Sequence, residues 1–300
     1  MHRRSEMKIC THDGVFHADE VLAIALLTSI FWDSEFERSR NIVIWGECDI
    51  LVDVGGEYVA HKENNVWPLK FDHHQNETNL PTHSDGTPMS SLGLVFDYFK
   101  ETLIGRWDSD AAVCRTGDEF NRFLPFCQQK FIDYLVKPVD AWDNGVPGQS
   151  CPAISSIISS YNTSWYETEP GLQDKRFIQA LGFATDYIDN VIRRIVGEFK
   201  AVSLAEKIDR SKKGLMVLPT FFPWQSYTTE EDVFCVFPNL NGGWNAQAVP
   251  IKPGGRELKQ KLPEKWLNEK PEGCSFVHKG LYIAVFDSKE HALNAIESIL

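Results

Sequence analysis

The sequence lacks an apolar run long enough to cross a membrane. Its longest run covers residues 21–30 and already contains Thr28 and Ser29, whereas a membrane-spanning helix needs about 20 consecutive apolar residues. It also lacks a secretory signal, because the first predicted strand begins at Lys8. We therefore expect no membrane partner and a location in the cytoplasm or nucleus, while a mitochondrial fraction stays open.

Paired cysteines and an excess of positive charge are missing as well. The seven cysteines are odd in number and form no Cys-x-x-Cys pair, which argues against a disulfide framework and favours a reducing compartment. The net charge of −12 excludes a protein that coats polyanions through a basic surface. It leaves metal-dependent nucleic-acid enzymes open, because bound cations reverse the local potential where a phosphate binds.

Several common catalytic signatures are absent too. The sequence shows no Ser/His/Asp arrangement and no Walker loop, and its turns at Gly14 and Gly55-Gly56 lack the spacing of a dinucleotide-binding fingerprint. With 43% apolar and 24% charged residues among 300 positions, the composition is that of an ordinary globular protein of one or two domains.

Strand and helix patterns alternate over the first part of the chain. Short apolar runs predict strands at residues 8–10, 41–45 and 50–54, and helix-forming runs predict helices at 18–27, 90–99, 119–135 and 174–208. Residues 58–71 have an irregular pattern that suggests a hairpin, and residues 136–144 indicate a turn. Strands that alternate with helices predict an α/β domain with a largely parallel sheet and helices on both faces.

The pattern changes after residue 210. Strand-like runs at residues 215–218, 233–237, 244–250 and 281–286 precede a final helix at 289–299. We therefore predict two domains: residues 1–210, which include the connecting helices, and a smaller α+β domain of residues 211–300.

Two short clusters concentrate histidine and aspartate in the first domain. The first contains His12, His17 and Asp19 around a turn at Gly14, and the second is Asp72-His73-His74. Imidazole and carboxylate groups are ligands of divalent metals, and two such clusters supply more ligands than one ion needs. The sequence therefore favours a two-metal hydrolytic centre.

Each cluster also has an ordinary interpretation. Acidic residues at a helix start are common because they interact with the helix dipole, and the polar residues that follow His74 are typical of a surface loop. Asp53 follows a predicted strand, where an aspartate often only caps a turn, and Asp140 and Asp143 alone are equally weak indications. The first cluster, Asp53, the second cluster and the pair Asp140 and Asp143 follow one another along the chain in this order. This order makes the metal interpretation specific.

Six motifs follow one another along the chain, at residues 11–20, 53–58, 71–75, 140–145, 241–250 and 276–280. In sequence and order they resemble the DHH phosphoesterase superfamily, and more closely its Myg-type branch of metal-dependent exonucleases, named after a melanocyte-proliferating gene. The resemblance spans nearly the whole chain. It implies a DHH-type parallel-sheet domain, a smaller DHHA1-like domain and a site in the cleft between them.

The resemblance also implies two divalent metal ions, with Mn²⁺ favoured and Mg²⁺ as the alternative. The implied ligands form two sets that share Asp53 as a bridge: His12, His17 and Asp53 for one ion, and Asp19, His73 and Asp140 for the other. One departure bears on the metal. The wider superfamily usually has aspartate in place of His17, with its first histidine one residue closer, so the imidazole makes this site softer and favours Mn²⁺ over Mg²⁺.

The implied catalytic residues are Asp53, Asp72 and His74. In this assignment Asp72 orients His73, and His74 faces the substrate phosphate. Asp143 is assigned to substrate binding together with His74.

The predicted second domain supplies a candidate substrate clamp. Gly242 and Gly243 would let a phosphate approach backbone N–H groups, and Trp244 would stack on a base. Lys252 and Arg256 would add positive charge. The alternative is a tight hairpin turn with a core tryptophan and solvated bases.

We therefore predict a two-metal-dependent phosphodiester hydrolase of RNA processing, a 3′–5′ exonuclease on RNA or short single-stranded oligonucleotides, with the direction implied by the resemblance alone. One alternative is a hydrolase of small phosphoesters such as a dinucleotide, a cyclic nucleotide or pyrophosphate. Another is an inactive metal-binding regulatory protein, which is disfavoured because every implied ligand position is filled. No obligate protein partner is evident, and the sequence leaves a homo-oligomer open.

Overall fold

The computed structural model describes residues 7–60, 68–75 and 80–300. The chain forms two compact units, Met1–Val196 and Gly197–Leu300. The division at residue 210 into a catalytic and a substrate-binding domain stays a prediction, as does a site in the cleft between them.

A five-stranded mixed sheet forms the centre of the first unit. Its strands have the order β2-β1-β3-β5-β4, where β1 is Lys8–Thr11, β2 Glu35–Arg38, β3 Ile50–Val52, β4 Tyr58–Val59 and β5 Leu69–Phe71. The neighbours among β1, β2, β3 and β5 are parallel, whereas β4 pairs antiparallel with β5. This arrangement confirms the predicted α/β class.

The helices of the first unit are α1 (Ala18–Ile30), α2 (Ile42–Trp45), α3 (Ser91–Ala111), α4 (Gly117–Phe131), α5 (Lys137–Asp143), α6 (Ala153–Ser159) and α7 (Leu172–Ala205), which continues into the second unit. A π-helical segment, Ile132–Val136, joins α4 to α5. In the described parts of the chain, no helix has both the length and the hydrophobicity needed to span a membrane.

Helix α1 is central to the first unit. Residues 18–27 are all buried, which is typical of a helix that is apolar on every side. It packs against α3 and β3, and α3 in turn packs against β5 and α5. The burial of α1 brings its N-terminal turn, with its acidic side chains, into the interior of the unit.

Two segments differ from their predicted structure. Residues 41–45 form the single helical turn α2 instead of a strand, because the Asn41 side chain accepts a hydrogen bond from the Val43 N–H and caps the turn. Residues 136–144 contain α5 instead of a turn, with Pro138 in its first turn, where proline is well tolerated. The predicted hairpin at 58–71 is represented by β4 and β5, while residues 61–67 lie outside the described residues.

A second five-stranded sheet forms the centre of the second unit. Its order is β6-β7-β8-β10-β9, where β6 is Leu215–Val217, β7 Phe234–Pro238, β8 Trp244–Ala248, β9 Cys274–Val277 and β10 Ile283–Phe286. β6 and β7 are parallel and the other pairs antiparallel. Helix α8 (Lys289–Glu297) packs against β7, β8 and β10.

Both faces of the second sheet are buried. Phe234 and Val236 of β7 enter the core that contains residues of α8, whereas Cys235 and Phe237 enter a second core that contains Ala201 from the end of α7. This alternation is what a strand with two covered faces requires.

Candidate metal centre

The candidate site lies where three strands end and one helix begins. His12 follows β1, Asp53 follows β3, and His73 lies two residues beyond β5. All three lie at the carboxyl edge of the parallel part of the sheet, where open α/β sheets place their sites. His17 is the N-cap residue of α1 and Asp19 lies in its first turn, so the structure brings these five predicted ligands together.

Asp53 has a backbone conformation that residues other than glycine rarely adopt. Its φ angle is 57°, in the left-handed region. Its N–H donates a hydrogen bond to the carbonyl of Phe71 at 3.0 Å, and its Oδ1 accepts one from Ser91 Oγ at 3.0 Å. Strain of this kind persists where the surrounding structure fixes it, and here it directs a carboxylate into the histidine cluster.

The contacts of His12 leave its Nε2 facing carboxylates. Its Nδ1 lies 3.0 Å from the carbonyl oxygen of Asp13; because a carbonyl only accepts, Nδ1 carries the hydrogen. Its Nε2 lies 3.1 Å from Glu20 Oε1 and 3.3 Å from Asp53 Oδ2. A nitrogen lone pair that faces carboxylates needs a cation between them, either a proton or a metal ion.

His73 repeats this arrangement with Asn144 in place of a carbonyl. Its Nδ1 lies 3.2 Å from Asn144 Oδ1. The Asn144 amide nitrogen donates to the carbonyls of Asp140 and Pro88, at 2.9 and 3.3 Å, which fixes the amide oxygen toward His73. Asn144 therefore sets the orientation of the His73 ring.

The Nε2 atom of His73 faces three carboxylates. The distances are 3.2 Å to Asp143 Oδ2, 3.5 Å to Asp53 Oδ1 and 3.9 Å to Asp19 Oδ2. This nitrogen and both carboxylate oxygens of Asp19 are buried and have no hydrogen-bond partner among the described residues. Because buried polar groups without partners are costly, these atoms fit a site that holds a divalent cation.

The candidate ligand atoms form three overlapping groups, in each of which the atoms lie within 4.8 Å of one another. The groups are His12, His17, Glu20 and Asp53; Asp53, His73 and His74; and His17, Asp19 and Asp143. Asp53 and His17 each belong to two groups. Mixed imidazole and carboxylate donors suit divalent transition metals.

The pKa values of the two central carboxylates shift in opposite directions. Burial acts to raise the pKa of Asp53, but the close imidazoles of His12, His73 and His74 outweigh it and hold this pKa well below its usual range. Burial, followed by the negative charge of Asp53, raises the pKa of Asp19 well above its usual value. A cation beside Asp19 would favour its ionised form and so counteract the effect of burial.

His74 is the exposed member of the cluster, with 62% of its side chain accessible. Its Nδ1 lies 2.9 Å from Asp72 Oδ1, and the other oxygen of Asp72 accepts a hydrogen bond from the Gly56 N–H at 2.6 Å. Asp72 therefore orients His74, whereas the sequence assignment had it orient His73. Because Nδ1 is held by Asp72, Nε2 is the atom of His74 that is available to a substrate.

Asp140 does not join these groups, contrary to the implied ligand set. It is fully buried; its Oδ1 accepts hydrogen bonds from Ser90 Oγ at 2.6 Å and from the Gly93 N–H at 3.1 Å. Its Oδ2 accepts one from His83 Nε2 at 2.7 Å. Both oxygens are used inside the fold, and Asp143, one helical turn later, faces the cluster instead.

Four residues of the site were not identified from the sequence: Glu20, His83, Ser91 and Asn144. Glu20 accepts from the His17 N–H at 2.8 and 3.0 Å, and its position three residues after the N-cap residue is a recognisable capping signal. Asn144 lies next to Asp143 within the motif at residues 140–145. No sequence pattern around His83 or Ser91 indicates that these residues belong to the site.

A cavity of about 80 Å³ opens beside two of the candidate ligands. His17 and Asp143 line it together with Trp142, Ser155 and others. Trp142 is 45% exposed, so an aromatic face is accessible next to the cluster.

The glycine segment of the second unit has the geometry of a hairpin turn between β7 and β8. The Asn239 side chain accepts hydrogen bonds from the N–H groups of Asn241 and Gly243, at 2.9 and 3.0 Å, and the Asn239 carbonyl accepts from the Gly242 N–H at 3.4 Å. Trp244 packs partly buried against the core. The N–H groups that a phosphate would need are used within the turn, which favours the hairpin alternative.

The two basic residues predicted for the clamp lie in the exposed loop after β8. Arg256 lines a cavity of the second unit, whereas Lys252 lies outside its lining.

Comparison with known proteins identifies relatives along nearly the whole chain. The MYG1 exonuclease family model, described as an uncharacterised protein family (UPF0160), matches residues 8–300. A MYG1 protein of Saccharomyces cerevisiae is 28% identical over an alignment 338 residues long, gaps included, which covers 97% of this chain and 94% of that protein. The MYG1 exonuclease of Homo sapiens is 29% identical over an alignment of 339 residues, again with gaps, which covers 98% of this chain and 85% of the human protein. No solved structure matches.

Proposed function

Because this chain belongs to the MYG1 exonuclease family, we propose that it is a two-metal-dependent 3′–5′ exonuclease that acts on RNA or short single-stranded oligonucleotides. Relatives that carry the name MYG1 exonuclease, such as those of rat and human, make it an enzyme of the nuclease type. The metal dependence, the substrate and the direction are the parts that we propose.

The proposed ligand sets follow the geometry of the cluster. His12, His17 and Asp53 would hold one ion, and Asp19, His73 and Asp143 would hold the other, with Asp53 near both sets. The observation that carries this proposal is the set of buried atoms without partners among the described residues, His73 Nε2 and both oxygens of Asp19. Two imidazoles in the first set favour Mn²⁺ over Mg²⁺.

Bound metal ions would supply an activated water and neutralise charge on the phosphoryl oxygens. The side chains around them hold the ligands in place. The Asp13 carbonyl accepts a hydrogen bond from Nδ1–H of His12, and the Asn144 amide oxygen accepts one from Nδ1–H of His73. Both Nε2 atoms can therefore face the carboxylates.

His74 is suited to hold the substrate phosphate. In the metal-free protein, hydrogen bonds with Asp53 and Asp72 raise its pKa to about 10 in spite of partial burial, which favours a ring with a hydrogen on both nitrogens. With Nδ1 held by Asp72, Nε2–H donates to a phosphate oxygen. The exposed face of Trp142 beside His17 and Asp143 offers a surface on which a base can stack.

We assign this activity to RNA processing in the cytoplasm or nucleus. The seven cysteines are all free, which supports a reducing compartment.

The proposal is tested with end-labelled single-stranded RNA and DNA, incubated with the purified chain in Mn²⁺ and again after chelation. We expect a ladder of one-nucleotide products that requires metal, with a 3′ label released first. Asp53→Asn should abolish the ladder. Asp97→Asn, which removes a carboxylate that forms a surface ion pair with Lys100, is the matched control and should leave the ladder unchanged.

Two outcomes would contradict the proposal. Intact oligonucleotides, with dinucleotides, cyclic nucleotides or pyrophosphate hydrolysed instead, would show a small-phosphoester hydrolase. Metal binding without hydrolysis of any of these substrates would show a regulatory role.

A further inference from the structure

The second unit contains a cavity of about 640 Å³, in the size range of small-molecule sites. Its lining includes six polar or aromatic side chains: Gln225, Gln247, Arg256, Lys261, His278 and Tyr282. These come from β8, from the turn between β9 and β10, and from the loops on either side of β7 and β8.

The charge of the cavity is positive in a chain of net charge −12. Arg256 and Lys261 line it, and no carboxylate among the described residues does. Neither side chain forms an ion pair with any residue of the part of the chain that the structure describes. Two unpaired cations in one concave site attract an anion.

Besides Arg256 and Lys261, two lining side chains present a hydrogen-bond donor. The Gly280 N–H donates to His278 Nδ1 at 2.9 Å, so the hydrogen of the neutral ring lies on Nε2. The Gly254 N–H donates to Gln225 Oε1 at 2.8 Å, which leaves the amide nitrogen of Gln225 as the group available to a ligand. Donors and cations together suit a ligand rich in acceptors, such as a phosphate group.

An aromatic surface lies beside these donors. The rings of His278 and Tyr282 have centroids 4.3 Å apart at an interplanar angle of 47°, and Tyr282 is 39% exposed. Aromatic faces of this kind stack on nucleobases.

The wall that carries Arg256 is fixed by its own hydrogen bonds. The Ile251 N–H donates to the Glu257 carbonyl and the Gly255 N–H to the Lys252 carbonyl, both at 2.8 Å. With the Gly254–Gln225 contact, these bonds order the loop before a ligand binds, which lowers the entropic cost of binding.

We propose that this cavity binds a phosphorylated nucleotide, with Arg256 and Lys261 at the phosphate and Tyr282 against the base. The inference rests on the proposed function in one respect, since RNA hydrolysis supplies such a nucleotide as part of the substrate or as product. It places the anion site of the second unit at this cavity and away from the Gly242–Gly243 turn.

The experiment measures binding of 5′-AMP, adenosine and inorganic phosphate to the full chain by calorimetry, with Mn²⁺ and again after chelation. We expect 5′-AMP to bind in both conditions, adenosine to bind at least about tenfold more weakly, and phosphate to compete. Arg256→Gln and Lys261→Gln should each weaken 5′-AMP binding by about tenfold. Lys265→Gln, an exposed lysine of the same unit outside the cavity, should not.

The kinetics of RNA cleavage show whether the bound nucleotide is part of the substrate strand or a free molecule. If it is part of the substrate strand, Arg256→Gln raises KM and leaves kcat unchanged; if it is a free nucleotide, KM stays unchanged while 5′-AMP binding is lost. 5′-AMP binding that disappears on chelation, or that survives both charge substitutions, would overturn the proposal. Absence of RNA cleavage with intact 5′-AMP binding would refute the exonuclease activity and leave this site standing.

Discussion

Asp140 and Asp143 lie three residues apart on α5, yet their surroundings give them different roles. Asp140 is fully buried and accepts hydrogen bonds from Ser90, Gly93 and His83. Asp143 lies 3.2 Å from Nε2 of His73. One carboxylate therefore holds two helices together, and the other belongs to the candidate metal centre.

Substitution of the two aspartates should separate metal binding from stability. Asp143→Asn should lower Mn²⁺ affinity by more than about tenfold, the lower end of what loss of a supporting residue costs, with little change in the melting temperature. Asp140→Asn should lower the free energy of unfolding by about 1–3 kcal/mol, because an amide NH₂ would face other donors. Metal titration and thermal denaturation of both variants make the comparison. Equal losses of metal in both variants would return Asp140 to the ligand set.

Asn144 gives a second prediction at this scale. Asn144→Ala removes the oxygen that holds the Nδ1 hydrogen of His73, so the ring is no longer oriented toward Asp53 and Asp143. We expect Mn²⁺ affinity to fall by about 10–100-fold. The measurement is a Mn²⁺ titration, with Asn190→Ala on the exposed side of α7 as control. Unchanged Mn²⁺ affinity would mean that the His73 ring is oriented for metal binding without the Asn144 contact.

At the scale of elements, the contact between α3 and α5 depends on a glycine. A Cβ atom on Gly93 would lie 2.2 Å from Asp140 Oδ2 and 2.8 Å from Met89 Cβ. Since real Cβ atoms do not approach so closely, a side chain at position 93 would force Asp140 and Met89 to shift.

Gly93→Ala should therefore destabilise the protein by about 1–3 kcal/mol and weaken metal binding. Gly105→Ala is the matched control in the same helix, where an added Cβ meets nothing within 4 Å; it should be neutral or stabilising by up to about 1 kcal/mol. Denaturant unfolding of both variants measures the difference. Similar stabilities for the two would show that Asp140 and Met89 can shift at little cost.

The elements that the sequence predicts poorly are the short ones. The run at 42–45 is apolar and rich in β-branched residues, which favours a strand, but the Asn41 cap and the exposure of Ile42 and Val43 accompany a helical turn. The sequence pattern did not predict helix α5. It therefore did not predict that Asp140 and Asp143 have different surroundings on that helix. Longer and strongly patterned elements, such as α1 and α7, lie close to their predicted bounds.

At the scale of the whole molecule, the metal-free protein should lose stability as the pH rises. Burial opposes the shift, but nearby carboxylates raise the pKa of His12 to about 10 and that of His73 to about 9. A pKa raised by folding contributes stability that is complete below the unfolded value, about 6.5 for histidine, and is lost as the pH approaches the folded value. The interval of loss is therefore about pH 6.5 to 10.

Thermal denaturation at several pH values in this interval tests the effect. In chelator, the melting temperature should fall as the pH rises. With Mn²⁺ it should not, because histidine ligands are neutral and the carboxylates face the metal ion. The same pH dependence in both conditions would show that His12 and His73 do not bind the ion.

The order of motifs along the chain predicted which residues come together, because the carboxyl ends of parallel strands meet at one edge. In the structure, His12 and His73 both lie beside Asp53. The order of motifs could not choose between Asp140 and Asp143, which depends on the rotation of α5, nor find His83, which depends on packing distant in sequence. For the glycine segment at 242–243, the side chain of Asn239 decides the outcome.

The most direct test of the two-metal proposal is a Mn²⁺ titration of the chelated protein in which bound metal and hydrolysis of end-labelled RNA are followed in the same sample. We predict about two ions per chain, with activity that appears as the pair is filled, and loss of both in Asp53→Asn. Full hydrolysis in chelator, or full activity in Asp53→Asn, would contradict it.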